Sequence, residues 1–394
     1  MRTSRLAITV VFLADGVMLG SWASRVPAVQ RHAELTSSGL GLALFAMSLG
    51  ALLSMPLAGW LGERSGSGRV TVSALVVGAA SLVAAALAVG LGALAAALFG
   101  FGAAFGAVNV SANAQGLVLE RAYGRPILSS FHAAFSAGGL AGAGLGALAA
   151  SGGLTPLVQF LATALVLVPT ALVAGTALLP AEATGSARAP VAVRLPRPLL
   201  AVAAAAFFTL LAEGAAADWS AVYLSGSLET SAGVAALGYA AFSLAMAASR
   251  SLGDRLNSRI GPAALARGGG LLAAAGLTVA LGLASTPAAL AGFTAMGAGL
   301  GVLVPVLFRA AGTTPGIPAG AGIAAVSTIG WLGFLAGPPA IGFAADAFGL
   351  AASLWIVVCA SALAALLAGR SCLVPSEPSQ GVVASGAALE PACR

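Results

Sequence analysis

Long apolar stretches recur from one end of the chain to the other, and short polar segments separate them. Each stretch is close to the ~20 residues that a helix needs to cross ~30 Å of hydrocarbon. The stretches lack the alternation of a membrane strand and are longer than one, so only helices can satisfy their backbone groups in lipid. The pattern predicts an all-α membrane protein with twelve transmembrane helices. The predicted spans are residues 6–26, 39–62, 70–92, 94–117, 128–150, 156–179, 199–224, 233–253, 263–284, 287–310, 319–342 and 349–369.

The composition supports this class and excludes several functions. Of the 394 residues, 59% are hydrophobic and 8% are charged, whereas soluble domains carry about 25% charged residues. The chain has no lysine, so it holds neither a Walker A nucleotide loop nor a Schiff-base lysine. Its three cysteines and two histidines show no disulfide framework and no zinc-site spacing. We therefore expect no enzyme activity, no metal and no cofactor.

All 18 basic residues are arginines, and their distribution predicts the orientation. They are spread through short loops and form no basic face, which argues against a nucleic-acid partner. With a cytoplasmic N-terminus, fifteen arginines lie on the cytoplasmic side, Arg25 and Arg31 lie outside, and Arg250 lies within the eighth span. The positive-inside rule then predicts a multi-pass protein of the cytoplasmic (inner) membrane with both termini in the cytoplasm. We do not expect a cleaved signal peptide, because Asp15 interrupts the first apolar segment and many spans follow.

The chain divides into two halves that repeat each other. LADG at 13–16 matches LAEG at 211–214, and TSSGLGLALF at 36–45 matches TSAGVAALGY at 230–239. Both halves begin on the same side, so the repeat is parallel and its pseudo-twofold axis runs along the membrane normal. The predicted units are an N-terminal six-helix bundle at 1–180, a cytoplasmic linker at 181–198, a C-terminal six-helix bundle at 199–370 and a disordered cytoplasmic tail at 371–394.

The loop after the second span carries a recognisable motif, GWLGERSGSGR at 59–69. It resembles the signature of the major facilitator superfamily, in which a glycine precedes an acid, an arginine, a further glycine and two basic residues. Gly68 replaces one of those basic residues here, and the second copy at 250–260 keeps Asp254 and Arg255. The resemblance covers about residues 6–369, and it implies two pseudo-symmetric six-helix bundles.

The resemblance also implies a cytoplasmic gate. Ion pairs between this loop and nearby helix ends can bias such a gate between open and closed. The alternative is a solvated turn whose surface pairs contribute ~0–1 kcal/mol. We expect Arg250 to pair with an acidic residue of the gate. The predicted gate residues are Gly59, Glu63, Arg64, Arg69, Arg250, Asp254 and Arg255.

Helix 4 gives a finer resemblance. It reads GAVNVSANAQG, which places Asn109 and Asn113 one turn apart on one face. This resembles the fucose–proton symporter branch and its uncharacterised bacterial relatives, which carry an aspartate on helix 1 and a carboxylate before an Ala-Asn pair on helix 4. Asn109 occupies that carboxylate position here. The helix-4 arginine and the proline-rich helix-5 motif of many drug–proton antiporters are absent, which favours symport over drug export.

Two carboxylates stand inside apolar spans at matching depth. Asp15 lies in LADGVMLGSW, and Glu213 lies in LAEGAAADW. A charge in the bilayer costs about 2.5–3.5 kcal/mol on insertion scales, so such residues are usually functional. In the family, helices 1, 4, 7 and 10 line the central cavity. We predict that both carboxylates bind the protons that drive transport; the alternative is a protonated carboxyl that is hydrogen-bonded to a neighbouring helix.

Polar and aromatic side chains near these carboxylates are candidate solute ligands. The rings could stack on a sugar-like or cyclic solute, or they could belong to an interfacial belt. The asparagines could bind the solute or bond across helices, and we expect His132 to be a packing group. The predicted solute-binding residues are Trp22, Asn109, Asn113, Asp218, Trp219, Tyr223 and Trp331.

Two further patterns concern helix packing. Gly138, Gly142 and Gly146 repeat every fourth residue and predict a close-packing face on helix 5. The pair Pro338 and Pro339 predicts a break in helix 11 that would help one half to rock.

Taken as a whole, the sequence predicts a monomeric secondary transporter that moves a small polar organic solute by alternating access between two rocking halves. Proton-coupled symport is the first expectation, and proton-driven efflux of a drug-like or metabolite solute is the second. A membrane sensor or scaffold that transports nothing is the third, but it has no need for carboxylates at mid-depth.

Overall fold

The computed structural model describes residues 2–124, 127–180, 197–317 and 319–371. Within these ranges, twelve helical segments are long and apolar enough to cross a membrane, which confirms the predicted number of spans. Residues 181–196 of the predicted linker at 181–198, and residues 372–394 of the predicted tail at 371–394, lie outside the described residues.

The helices follow the predicted spans but extend further at most ends. They are α1 (Arg2–His32), α2 (Ser37–Ser65), α3 (Ser67–Leu87), α4 (Gly90–Tyr123), α5 (Leu128–Ser151), α6 (Pro156–Gly175), α7 (Arg197–Val222, continued by a π-helical turn at Tyr223–Ser227), α8 (Ala232–Ile260), α9 (Pro262–Leu283), α10 (Thr286–Leu300 and Leu303–Gly312), α11 (Ala319–Phe348) and α12 (Leu350–Ser353 and Trp355–Ser371).

Local sequence signals set the helix ends. The hydroxyls of Thr36 and Ser231 accept hydrogen bonds from the backbone N–H groups of Gly39 (3.2 Å) and Val234 (3.4 Å), which caps α2 and α8. Gly66 and Gly261 have φ of 90° and 79°, a conformation that suits glycine, and there the chain turns directly into the next helix. Because the connections are short, successive helices are antiparallel neighbours. The α1–α2 and α11–α12 connections therefore lie at one end of the molecule, and the α2–α3 and α8–α9 connections lie at the other.

Helix α1 packs on α5 with almost no side chain between the two backbones. A Cβ on Gly138 would collide with the carbonyl oxygen of Leu13, and a Cβ on Gly142 would collide with that of Val17. Gly146 is blocked in the same way by Ser24. The predicted close-packing face on helix 5 is thus confirmed, and it holds the helix that carries Asp15.

Replacing Gly142 by leucine should therefore prevent normal folding. A leucine side chain does not fit against the α1 backbone, so the helices must separate and lose their mutual packing. We expect the monodisperse peak in detergent size-exclusion chromatography to be largely lost. Gly144→Leu is the matched control, because a Cβ at Gly144 meets nothing within 4 Å. Equal peaks for the two variants would contradict the packing.

The two halves of the chain meet along α2 with α11 and along α5 with α8. Gly41 of α2 lies against Gly342 and the carbonyl oxygen of Pro338 on α11. Helix α11 continues through Pro338 and Pro339, so the predicted break is wrong. The Pro338 carbonyl instead forms part of this close contact between the halves, which only a glycine at position 41 accommodates.

Candidate functional site

A polar cluster crosses the boundary between the two halves near the middle of the spans. Arg250 of α8 donates from Nη2 to Glu213 Oε1 of α7, at 3.3 Å. Its Nη1 donates to the Ser136 hydroxyl of α5, also at 3.3 Å. The side chains of Arg250 and Glu213 are 21% and 20% exposed. Arg250 therefore pairs with the intramembrane Glu213 instead of a loop acid, and it joins the C-terminal half to the N-terminal half.

The cluster continues into the N-terminal half through a histidine. The Nε2 atom of His132 is 3.2 Å from Asn113 Oδ1, and the Asn113 amide donates to the carbonyl oxygen of Asn109 at 2.7 Å. The Ser136 hydroxyl also donates to the His132 carbonyl, at 3.2 Å. The structure thus brings together the two predicted asparagines, and it adds His132 and Ser136. His132 and Ser136 lie one turn apart on one face of α5. That spacing was the signal in the sequence that pointed to them and was missed.

Asp15 lies on α1, which packs against α5, and it is not bonded to the cluster. It lies one turn after Phe12, whose ring is 5.3 Å from that of His132 in an edge-on arrangement. Asp15 is only 4% exposed. Within the described ranges, no hydrogen bond or ion pair reaches its carboxylate. An isolated carboxylate is costly to bury, and protonation removes that cost.

Four aromatic rings from both halves form a layer beside the cluster. The ring centroids are 6.0 Å apart for Phe135 and Phe105, 6.4 Å for Phe105 and Trp331, and 5.3 Å for Trp331 and Phe334. Phe334 also packs against Gly214, the residue after Glu213. All four side chains are half-buried. We call Phe105, Phe135, Trp331 and Phe334 the aromatic layer, and it contains one of the predicted solute-binding residues, Trp331.

The other predicted rings lie deeper in the protein. Trp22 and Trp219 are fully buried, and their indole N–H groups find no acceptor among the described residues. The Trp22 ring centroid lies 6.5 Å from that of Phe101. Tyr223 is also buried, in the π-helical turn that follows α7. None of these three rings faces lipid, so they do not form an interfacial belt.

Further polar side chains lie on α8, toward the α1–α2 end of the molecule. A Cβ on Gly139 would lie 3.6 Å from the Tyr239 hydroxyl and 3.7 Å from that of Ser243, so α5 and α8 approach closely here. Asp218 is half-buried and lies on the same helix as Glu213. It follows Glu213 by five residues, which is about 7.5 Å along the helix axis.

The α1–α2 end of the molecule is closed by a contact between the halves. The Asp346 carboxylate of α11 accepts hydrogen bonds from the backbone N–H groups of Ser37 (3.0 Å) and Ser38 (3.1 Å). These groups begin α2, where the helix dipole favours a negative charge. We call this contact the Asp346 latch, and it adds to the close approach of Gly41 and Gly342.

The predicted gate residues at the opposite end are largely exposed. Glu63, Arg64, Arg69 and Arg255 are exposed, and they form no ion pair within the part of the chain that the structure describes. Arg64 lies over the Trp60 ring, at 4.0 Å from its centroid. Arg69 donates to the Ser65 carbonyl at 3.4 Å, and a Cβ on Gly59 would meet nothing within 4 Å. The side chain of Asp254 lies outside the described set. The hydrogen bonds between the halves, among the residues that the structure describes, thus lie from mid-depth to the α1–α2 end.

Comparison with known proteins decides the family. Residues 6–315 match the Major Facilitator Superfamily. The chain is 36% identical over 369 residues to an uncharacterised MFS-type transporter of Yersinia pestis, and the match covers 92% of this chain and 96% of that relative. The chain belongs to the major facilitator superfamily. It is a multi-pass membrane protein of a family of secondary transporters, not of enzymes.

Solved structures confirm the fold of this transporter. A bacterial homologue of the human lysosomal transporter Spinster, in an inward-facing and occupied conformation, aligns with a TM-score of 0.74 at 15% identity, over 93% of this chain and 95% of that one. The nucleoside transporter NupG aligns with a TM-score of 0.75 at 12% identity, over 93% and 98% of the two chains. The predicted major facilitator fold of two six-helix bundles is therefore correct.

Proposed function

We propose that this transporter carries a small, polar, ring-containing solute together with protons. The observation that carries the proposal is the cluster of Glu213, Arg250, Ser136, His132 and Asn113, which bridges both halves at mid-depth. Sites of this kind, near the bilayer midplane and between two repeats, are where secondary transporters bind solute and coupling ion. The carboxylates, amides and hydroxyls offer hydrogen bonds in a half-buried setting.

The orientation of the chain follows from its arginines. If the α2–α3 end is cytoplasmic, as the positive-inside rule predicts, the site opens to the cytoplasm and the Asp346 latch closes the outer side. Both termini are then cytoplasmic, and the conformation is inward-facing. The gate residues around Glu63 and Arg255 would meet only in the outward-facing state, which accounts for the lack of ion pairs between them among the described residues.

Asp15 and Glu213 have different roles in proton coupling. Asp15 has no partner among the described residues, so it can take up a proton without breaking a bond. Glu213 is paired, and a proton on Glu213 would release Arg250. Arg250 also donates a hydrogen bond to Ser136 of the other half. When Glu213 no longer positions Arg250, this bond is weakened, and with it a contact between the halves. Proton binding thereby changes the relative stability of the two conformations.

The aromatic layer and the amides of Asn109 and Asn113 indicate the chemical class of the solute. The half-buried rings offer flat apolar faces, and Asn109 and Asn113 offer hydrogen-bonding groups on α4. Since Arg250 and Glu213 neutralise each other, the central site favours an uncharged molecule. A sugar, a cyclic polyol or a nucleoside has this chemistry, which agrees with the resemblance to the fucose–proton symporter branch.

Thermal-shift screening of the purified protein against sugars, cyclic polyols, nucleosides, amino acids and organic acids would identify the solute. Uptake into proteoliposomes under an imposed pH gradient would then test the coupling. We expect accumulation on the alkaline side, in symport with protons. Movement of the solute toward the acidic side would show proton-driven efflux instead. If a solute binds but no gradient of protons drives its movement, the proposed coupling is wrong.

Removing the Asp346 latch should open the outer side of this transporter. Asp346→Ala deletes a carboxylate at the start of α2, an interaction of about 0.3–1 kcal/mol, so outward opening should become about 2- to 5-fold more frequent. A cysteine at Ser48, in a background without native cysteines, reports this opening through its rate of labelling from outside. Glu34→Ala is the control, because Glu34 is an exposed acid at the same end. Equal labelling rates in Asp346→Ala and the unmodified background would contradict the latch.

A further inference from the structure

Buried polar atoms without a partner are concentrated in one part of the N-terminal half. The described residues contain ten buried side-chain nitrogen or oxygen atoms that form no hydrogen bond. Six of the ten belong to Ser21, Trp22, Arg25 and Gln159. These residues lie on the α1–α2 side of α1 and in the first turn of α6, away from the central cluster. Such a concentration is unusual, because buried polar groups are nearly always bonded.

Arg25 carries a buried charge with little compensation. It is 4% exposed, and its Nη2 donates to the carbonyl oxygen of Leu154, in the α5–α6 connection. Its Nε and Nη1 atoms are buried and lack an acceptor, and no carboxylate lies within ion-pair distance among the described residues. A neutral carbonyl satisfies one N–H group but does not offset the positive charge. The geometry therefore calls for a negative group beside Arg25.

Gln159 of α6 is the second side chain here with buried atoms that lack a partner. It is 5% exposed, and neither of its amide atoms has a partner. A Cβ on Gly146 of α5 would touch the Ser24 hydroxyl and would lie 3.2 Å from Gln159 Nε2, so the amide of Gln159 sits next to Ser24. Ser24 directly precedes Arg25, and Leu154, the partner of Arg25, lies just before α6. The links through Ser24 and through Leu154 place Arg25 and Gln159 near each other where α1, α5 and α6 meet.

We propose that a small inorganic anion of the size of chloride binds between Arg25 and Gln159, held by the free N–H groups of Arg25 and the amide N–H of Gln159. A water molecule could accept these hydrogen bonds, but only an anion also neutralises the guanidinium. The close packing of α5 on α1 at Gly146 and Ser24 favours a small anion over an organic acid. The anion ties α1 to α6 and to the α5–α6 connection.

The site belongs to the N-terminal half alone. The offset of 198 residues that relates LADG to LAEG places Tyr223 at the position equivalent to Arg25. A neutral tyrosine creates no need for an anion. The anion site is therefore an addition to the repeated fold, and it does not depend on which solute the transporter carries or on proton coupling.

Thermal unfolding of the purified, full-length protein tests the site. We compare chloride with gluconate, which is too large to enter, at equal ionic strength. Chloride should raise the Tm of the wild type by about 2–4 °C. Arg25→Gln and Gln159→Leu should lose this difference. Arg31→Gln should keep it, because Arg31 is an exposed arginine on the same helix. A wild-type Tm that is the same in both salts would overturn the proposal.

Bromide locates the anion directly and needs no variant. Crystals grown in bromide should show an anomalous peak between Arg25 and Gln159. Absence of a peak there, with ordinary density for water, would mean that water satisfies these groups and that the proposal is wrong. If Arg25→Gln fails to fold, the wild-type salt comparison, the Gln159→Leu variant and the bromide map still decide the question.

Discussion

Asp15→Asn should abolish accumulation of the solute against its gradient while leaving the protein folded. Asparagine keeps the size of the side chain but cannot gain or lose a proton, so the pH gradient can no longer drive transport. Exchange of solute across the membrane at equal concentrations requires no net proton movement and should persist. Both are measured in the same proteoliposomes, as pH-driven uptake and as counterflow of labelled solute.

Glu34→Gln is the matched control for Asp15→Asn. Glu34 is an exposed acid at the α1–α2 end, so its loss should change neither uptake nor counterflow. The assignment of Asp15 fails if Asp15→Asn accumulates solute as well as the wild type does, with the same dependence on pH. Loss of both uptake and counterflow would instead show that Asp15 binds solute or supports the fold.

Arg250→Gln should cause the second large effect, a loss of both stability and transport. It leaves Glu213 without its partner in a largely buried position, and it removes the contact with Ser136 of the other half. Losing one member of a buried ion pair costs about 3–5 kcal/mol, and partial exposure of this pair reduces that figure. We expect a clearly lower Tm in a thermal shift assay and transport near background.

A double variant separates the ion pair from general damage. Glu213→Gln removes the charge that Arg250→Gln leaves uncompensated, so Glu213→Gln/Arg250→Gln should be more stable than Arg250→Gln alone. Transport should remain lost, because the charge that couples the halves is gone. If the two substitutions lower the Tm additively, the two side chains do not interact as an ion pair in the membrane.

The sequence was sufficient to predict the helices and their number. Bilayer thickness fixes the length of each span, so hydropathy alone locates them. The glycine spacing of α5 also predicted its close contact with α1, since only a glycine lets two backbones approach so closely. The depth of Asp15 and Glu213 followed from the same spans.

The central cluster could not be predicted, because it depends on how the two halves face each other. Arg250 and Ser136 are 114 residues apart, and no local pattern connects them. The loop motif assigned Arg250 to a gate, whereas its actual carboxylate partner lies one helix earlier, at Glu213. His132 was expected to be a packing group because a lone histidine has no sequence neighbour that reveals its hydrogen bond to Asn113.

The Asp346 latch is formed in this conformation, whereas the predicted ion pairs of the cytoplasmic gate are not seen among the described residues. Asp346 is a single exposed acid in the last turn of α11, and its role becomes visible only when the start of α2 lies beside it. The gate residues from Gly59 to Arg69 and from Arg250 to Arg255 were predicted from a motif, and Glu63, Arg64, Arg69 and Arg255 form no ion pair among the described residues. Their role in closing the cytoplasmic side stays a prediction that requires the opposite conformation.

Solute-induced proton movement tests the central claim most directly. Proteoliposomes that contain a pH-sensitive dye are mixed with the solute, with no pH gradient at the start. We predict that solute entry acidifies the interior, that a protonophore removes the signal, and that Asp15→Asn shows no acidification. Entry of labelled solute at the wild-type rate with no change in internal pH would contradict the account.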